Sequence, residues 1–523
     1  MFHFRPERLM LLVLFITLGI FLSFGTILPN ETTAVFASPD ETAVAQFARG
    51  WTLKEGFRLP AGIPEAVADI AGLHPRSMVQ QGAWVVPVGF LGMPMLLMPF
   101  EKMREGSGAF LMVLLVASSV WPLWRFARGI SRRAALAASV VYLTFPTVLL
   151  YANRGLFPNL PVVALGLWSV WLVGEKARWK VIVGGILFGA ALAIRPLEGL
   201  WLMPWVVWGF LRGRNLKNVW RTSMTGWVVA ASLLFPAFAY VASIQTYQSI
   251  VPTIGYWLRD TAVRSEETPA ANQAADIRTI TETADLLPFG VHPRTMESNI
   301  RLFLLEMLWP WVLLALAGLW QCWWSGRVTF RSPTLWLSGW TIAVLLLFYG
   351  QATYLDNIRG TPAIGNSFLR YLLPLTPFIA LAIGAWLDAV ARNTYRTIAG
   401  SAVIVVLAFY GGWMGLARDE ESVLATRAEL HRYVEIRAQA ARTLAPGTIL
   451  ISERSDKIFT GLPGLVAVSP LPSEEIFRAL LGTDVPIVWF HRLFTQEELA
   501  ARGIEGEEIF RHDNEGLYRI TLE

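Results

Sequence analysis

Apolar residues in this chain gather into long uninterrupted runs. Residues 9–28 form one such run behind Arg5 and Arg8. At about twenty residues it is long enough to cross a bilayer and exceeds a usual signal-peptide core, so an uncleaved first helix is predicted. Runs of about 15 to 22 residues predict further spans at 109–125, 134–152, 158–174, 181–195, 197–211, 222–244, 301–322, 333–351, 369–391 and 397–416. The run 84–100 is short and interrupted by Pro87, Pro94 and Pro99, each of which removes a backbone donor.

The basic residues decide how that broken run is placed. If 84–100 is interfacial or re-entrant, the clusters Arg125/Arg128/Arg132/Arg133, Lys176/Arg178/Lys180, Arg212/Arg214/Lys217/Arg221, Arg327/Arg331 and Arg392/Arg396 all fall on the side of the amino terminus. That satisfies the positive-inside rule, and a crossing at 84–100 would violate it. The expectation is an all-α polytopic membrane protein of about eleven transmembrane helices with a cytoplasmic amino terminus. The loops 29–108, 152–158 and 245–300, and everything after 416, then lie outside the cell.

After residue 416 the pattern changes. Residues 419–444 read as a polar amphipathic helix stopped by Pro446-Gly447. Residues 448–452, 486–490 and 517–522 read as strands, and 473–481 and 496–502 as helices. The predicted organisation is a membrane domain over 1–416, followed over 417–523 by a linker helix and a small α/β extracytoplasmic domain.

Composition agrees with this class: 54% of residues are hydrophobic and 16% charged. The net charge of +5 comes from clusters between apolar runs, which serve topology, so nucleic-acid binding is excluded. The single cysteine, Cys322, excludes an intramolecular disulfide and any cysteine-based metal cluster.

Candidate chemistry concentrates on the outer side. In Ser38-Pro39-Asp40-Glu41 the serine suits an N-cap, the proline the first helical position, and Glu41, three residues after the cap, completes a capping box. A surface helix is predicted there with Val44, Phe47, Ala48 and Trp51 facing the membrane and both acids facing water. The acids serve either as a proton acceptor or only to complement the helix dipole. Arg154, Arg195 and Arg370 lie at the ends of predicted spans, where an ionised group is costly and serves either snorkelling or function. The segments His74-Pro75-Arg76 and His292-Pro293-Arg294 echo one another, as a shared turn or as two cations aimed at one anion. A carboxylate that takes a proton from a hydroxyl, with cations that stabilise a departing phosphate, suits sugar transfer from a lipid phosphate.

The acidic pair Asp40-Glu41 on a first outer loop, the Arg370-Tyr371-Leu372-Leu373-Pro374 start of a late span, and the small-residue stretch Gly184 to Ala193 resemble the GT-C class of membrane glycosyltransferases. The likeness leans to glycosyltransferase family 39, the protein O-mannosyltransferase and aminoarabinose-transferase-like branch. The resemblance covers roughly residues 5–416 and implies transfer of a sugar from a polyprenyl-phosphate donor to a lipid, glycan or protein acceptor at the outer face of the plasma membrane. It implies Asp40, then Glu41, as the base. Arg76, Arg195, Arg294 and Arg370 are the candidates for the donor phosphate, and His74, Arg154, Asn159, His292 and Tyr371 for positioning donor or acceptor. Asn159 stands where many relatives carry a second acid and cannot act as a base. A divalent ion held by Asp40 or Glu41 with His74 stays open, with no cofactor assigned. A transporter or lipid flippase, which would show inverted repeats and mid-membrane charges, and a non-catalytic envelope-assembly protein are the competing classes.

Overall fold

The structure, a computed structural model, describes residues 35–248 and 291–522, apart from 71, 155, 213, 215–222, 327–328, 330–331, 353, 355–361, 470–471, 473, 493–498 and 500–502. The expected first span, the expected helix 496–502 for the most part, and most of the loop 245–300 lie outside the described residues. The rest divides into two compact units. One holds 109–240 and 291–427; the other holds 35–108, 241–248 and 428–522.

The first unit is helical. Among the described residues, four helices are long and apolar enough to cross a membrane: Ser107–Arg128, Thr225–Tyr247, Leu373–Val390 and Thr394–Ala417. Two bent pairs bring the number to six, Arg132–Leu143 with Pro146–Arg154 at 53° and Pro293–Met307 with Trp309–Trp324 at 90°. The expected runs at 158–174, 181–195, 197–211 and 333–351 form the helices Asn159–Val173, Arg178–Ile194, Gly199–Leu211 and Pro333–Tyr349. These have 13 to 17 residues, shorter than a straight crossing of about 20 residues requires. The count of about eleven is therefore not reached by length and composition. Proline is the reason in two places. Pro146 divides 134–152, and Pro196 separates the Arg178–Ile194 helix from the next.

Outward faces of this unit are apolar. Only 11% of the apolar eighteen-residue stretch of Thr225–Tyr247 is buried, and Trp227, Leu233, Leu234 and Phe238 on it are exposed. A helix with no polar face and this little protein cover is one that lipid solvates. Where helices do meet, glycines let them approach. A side chain at Gly318 would overlap the carbonyl of Ala382, one at Gly384 that of Ala134, and one at Gly411 that of Thr144.

The second unit contains two sheets. In the first, Leu59–Pro60, Trp84–Pro87 and Met78–Gln81 pair antiparallel in that order. Gly82, at φ +60°, supplies the left-handed residue that the two-residue turn between Met78–Gln81 and Trp84–Pro87 needs. The run 84–100 thus becomes a strand followed by the twelve-residue helix Gly92–Met103, too short to span. The second sheet has the order Val466–Val468, Ile449–Ser452, Ile487–Arg492, Glu515–Leu522, Ile504–His512. Its first three strands are parallel and the last two antiparallel.

Alternation along these strands makes two cores. Leu450, Val488, Phe490 and Leu517 pack with Leu430, Tyr433, Ile436 and Ala440 of the Val423–Thr443 helix and with Val35. Ile449, Ile451, Val466, Ile487 and Trp489 on the other face pack with Leu480 and with Val67 and Leu73 from the segment between Leu59–Pro60 and Met78–Gln81. The strands expected at 448–452, 486–490 and 517–522 and the helix at 473–481 are present. Strands Val466–Val468 and Ile504–His512 were not legible, the one for its three residues and the other for its charged, mostly solvent-facing positions.

Neighbouring glycines in the Thr394–Ala417 helix provide a test of the packing. Gly411→Ala should destabilise by about 1–3 kcal/mol, the cost of forcing a side chain into a filled contact. Gly412→Ala, with nothing within 4 Å of the new carbon, should be neutral or slightly stabilising. Thermal unfolding midpoints in detergent check the contrast.

Candidate functional site

The acidic motif starts a helix, as its sequence predicts. Pro39–Gly50 is helical, Ser38 is extended at φ −126° and ψ 146°, and its hydroxyl accepts the Asp40 N–H at 3.3 Å. The surroundings differ from expectation. Glu41, predicted to face water, is 1% exposed, and the buried face is Glu41, Thr42, Ala43, Ala45, Phe47 and Ala48, with Val44 and Trp51 only half-buried. The face is covered by protein: the Gly92–Met103 helix, the Trp84–Pro87 strand and the short Asp456–Phe459 helix. An apolar stripe signals burial but not whether lipid or protein does the burying.

Asp40 accepts a hydrogen bond from the Ser77 hydroxyl on Oδ1 at 2.5 Å. Arg76, beside Ser77, is held by Asp456. Its backbone N–H reaches Oδ2 at 2.8 Å, its Nε reaches Oδ1 at 2.8 Å, and its Nη2 also donates to the carbonyl of Arg454. His74 turns its Nδ1 to the carbonyl of Pro75 at 3.0 Å, and its own carbonyl accepts the N–H of Ser469. Burial pushes the His74 imidazole below its ordinary value, outweighing the Pro75 carbonyl and the Asp456 carboxylate, which both favour the charged form. At the far end of the helix Arg49 pairs with Glu105 at 2.7 Å and reaches Glu101 at 3.6 Å. Glu101, fully buried, accepts the N–H groups of Gly106 and Gly108.

The helical unit gathers three of the nominated arginines. Arg154 is the last residue of Pro146–Arg154, Arg195 follows Arg178–Ile194 as its C-cap, and Arg370 lies in the last turn of Ser367–Tyr371. All three are at helix C-termini, where unpaired carbonyls and the dipole favour a cation. At Arg195 the following proline drives the residue to φ −147°, which ends the helix there.

Two aromatic rings join them. The guanidinium of Arg154 lies 4.8 Å and that of Arg370 4.5 Å from the ring of Phe157. Arg370 also lies 5.3 Å and Arg195 4.9 Å from the ring of Tyr371. Tyr371 stacks on Tyr349 at 4.4 Å and 3°. Arg195 pairs with Glu198 at 3.2 Å, and the Tyr349 hydroxyl bridges the pair, accepting from Arg195 and donating to Glu198, each at 3.1 Å. Trp201 donates to the other Glu198 oxygen. The named members carry three guanidinium groups and one carboxylate, an arrangement that suits an anion. Asn159, at the start of the Asn159–Val173 helix, is buried, and its Oδ1 has no hydrogen-bond partner among the described residues.

Other nominees stand apart. Arg294 is exposed in the first turn of Pro293–Asn299, and His292 is that helix's N-cap, its N–H donated to Gln351 at 2.6 Å. The two His-Pro-Arg segments therefore share no geometry: one lies in a loop ahead of a strand and the other opens a helix. Among the described residues no group of three or more His, Cys, Asp or Glu is placed to hold a metal ion. Sequence reasoning passed over Ser77, Asp456, Glu198 and Tyr349. Only Glu198 had a signal, its i+3 spacing from Arg195.

No family model matches the chain, and no curated protein matches it in sequence. Solved structures do. ArnT from Cupriavidus metallidurans in the apo state matches at TM-score 0.55 with 12% identity, over 98% of this chain and 97% of that one. ArnT from the same organism bound to undecaprenyl phosphate matches at TM-score 0.52 with 13% identity, over the same shares. The chain therefore has a fold similar to that of ArnT over nearly its whole length. With its apolar helices, that makes it an integral membrane protein.

Two measurements follow from this geometry. Because folding holds His74 neutral, stability should be full above its ordinary value of 6.5 and fall as pH drops below it, where the unfolded chain binds the extra proton. His74→Gln should flatten that slope in unfolding midpoints taken from pH 7.5 to 5. Tyr349→Phe leaves Arg195 and Glu198 without their bridge and should cost about 1–3 kcal/mol in the same assay.

Proposed function

We propose that the protein is a glycosyltransferase that takes a sugar from a polyprenyl-phosphate donor and transfers it to a hydroxyl of a lipid, glycan or protein acceptor at the outer face of the plasma membrane. The observation that carries this reading is the chain of Arg154, Arg370 and Arg195 across Phe157 and Tyr371. A cationic cluster assembled at helix ends in an apolar unit suits a phosphate attached to a lipid tail. The ArnT fold supports it, since one of the matching ArnT structures binds undecaprenyl phosphate. A lipid-borne donor also fits the compartment, because nucleotide sugars stay in the cytoplasm.

In the proposed reaction the acceptor oxygen bonds to the anomeric carbon while the bond from that carbon to the phosphate oxygen breaks. The electron pair leaves with the polyprenyl phosphate, and the hydroxyl proton passes to a carboxylate. Asp40 is assigned as that base and Glu41 as the second choice, since Glu41 is the more deeply buried of the two. Arg195 and Arg370 are assigned to the phosphate, where they offset the charge that grows as it departs. Arg154 and Tyr371 support them, and Asn159 is assigned to orienting a hydroxyl. Among the described residues neither Arg76 nor Arg294 has its guanidinium against the ring of Phe157 or Tyr371, so both rank lower.

Transfer from a panel of radiolabelled polyprenyl-phosphate sugars by the purified protein in lipid tests the reading. Asp40→Asn should lower kcat by at least about a hundredfold, the size expected for a general base. Arg370→Ala should raise the donor KM by about tenfold or more, as for a lost charge-assisted contact. Wild-type protein that neither turns over nor binds any such donor would refute the assignment.

A further inference from the structure

The carboxylate assigned as base is the last member of a chain of contacts that begins far away in sequence. Asp456 is fully buried, in the first turn of the short Asp456–Phe459 helix. Its two oxygens take hold of both the main chain and the side chain of Arg76, at 2.8 Å to N–H, 2.8 Å to Nε and 2.7 Å to Nη2. The next residue, Ser77, has φ +62°, a left-handed conformation that residues with side chains seldom adopt. It persists where the neighbours over-determine it. Here Arg76 is fixed on one side, and on the other Met78 is paired with Pro87 in the sheet. The turn so held directs the Ser77 hydroxyl onto Asp40 Oδ1. A second tie runs from Lys457 Nζ to the carbonyl of Ala37 at 2.7 Å, just ahead of the Asp40 helix.

We propose that Asp456 is a positioning residue for the transfer reaction, acting through Arg76 and Ser77 to set the orientation of the Asp40 carboxylate. The inference rests on the assignment of Asp40 as base. A carboxylate turns easily about its last torsion, which has broad, two-fold wells. A donor fixed on one oxygen selects the plane in which the group meets the acceptor. Misplacement by about an ångström is enough to cost about a hundredfold in rate. Arg76 then serves as the link between Asp456 and Ser77, and not as a ligand of the donor phosphate.

The test uses the full chain in lipid, with Asp456→Asn, Ser77→Ala, Asp40→Asn and the double variants Asp456→Asn/Asp40→Asn and Ser77→Ala/Asp40→Asn. Asp456→Asn and Ser77→Ala should each lower kcat by about ten- to a hundredfold with the donor KM held within about twofold. Neither should lower the residual rate of Asp40→Asn any further, because both act through the group already removed. Hydrogen exchange over residues 73–81 should rise in Asp456→Asn and stay at the wild-type level in Asp40→Asn, a readout independent of turnover. The proposal is overturned by a raised donor KM at unchanged kcat, which would make Arg76 a donor ligand. An equal loss in the wild-type and Asp40→Asn backgrounds, the mark of a purely structural role, would overturn it too, as would unchanged exchange. Full activity of Asp40→Asn would remove the base assignment itself, a result read from that variant alone.

Discussion

A charge removed from water has to be met by another charge, a dipole or a ring face, and each of the candidate sites is organised by that constraint. Asp456 is met by the main chain and side chain of Arg76, Glu101 by two backbone N–H groups and Arg49, and Glu198 by Arg195, Tyr349 and Trp201. Removing one partner of such a pair costs about 3–5 kcal/mol, so these contacts hold their neighbours in place as firmly as apolar packing does. The Ser77 turn and the Tyr349–Tyr371 stack each lie beside one of these ion pairs.

In the helical unit, the same residues that interrupt the apolar runs also locate the cations. Pro196 ends one helix at Arg195, Pro158 follows the helix that Arg154 closes, and Pro374 follows the short helix that carries Arg370. Each break leaves carbonyls without helical partners, and each has an arginine beside it. Helix ends inside the apolar unit thus supply positions at which a guanidinium is stable. The rings of Phe157 and Tyr371 then gather charges that would otherwise repel one another.

The second unit follows a different logic. Its larger sheet is covered on one face by the Val423–Thr443 helix and on the other partly by Val67 and Leu73, from the segment between Leu59–Pro60 and Met78–Gln81. The domain core and the acid-bearing helix are therefore built from shared segments. Asp456, Lys457 and the Asp40 helix belong to one packed body.

The sequence alone determined what depends on local pattern. The membrane class, most helices of the apolar unit, the Ser38 cap and the start of the Asp40 helix were legible because apolar runs, capping residues and prolines act over a few neighbours. The fold resemblance was legible from the same short motifs. The tertiary structure decided which breaks fall inside a run, since 13- to 17-residue helices and a 90° bend arise from packing as well as composition. It also decided that protein covers the Asp40 helix, that Glu41 is buried, that Arg76 faces Asp456 and that Arg154, Arg195 and Arg370 share two rings. Arg76 and Asp456, for one, are 380 positions apart. Pairings of that kind are fixed by which surfaces the fold brings together and leave no periodicity in the chain, so a single sequence cannot display them.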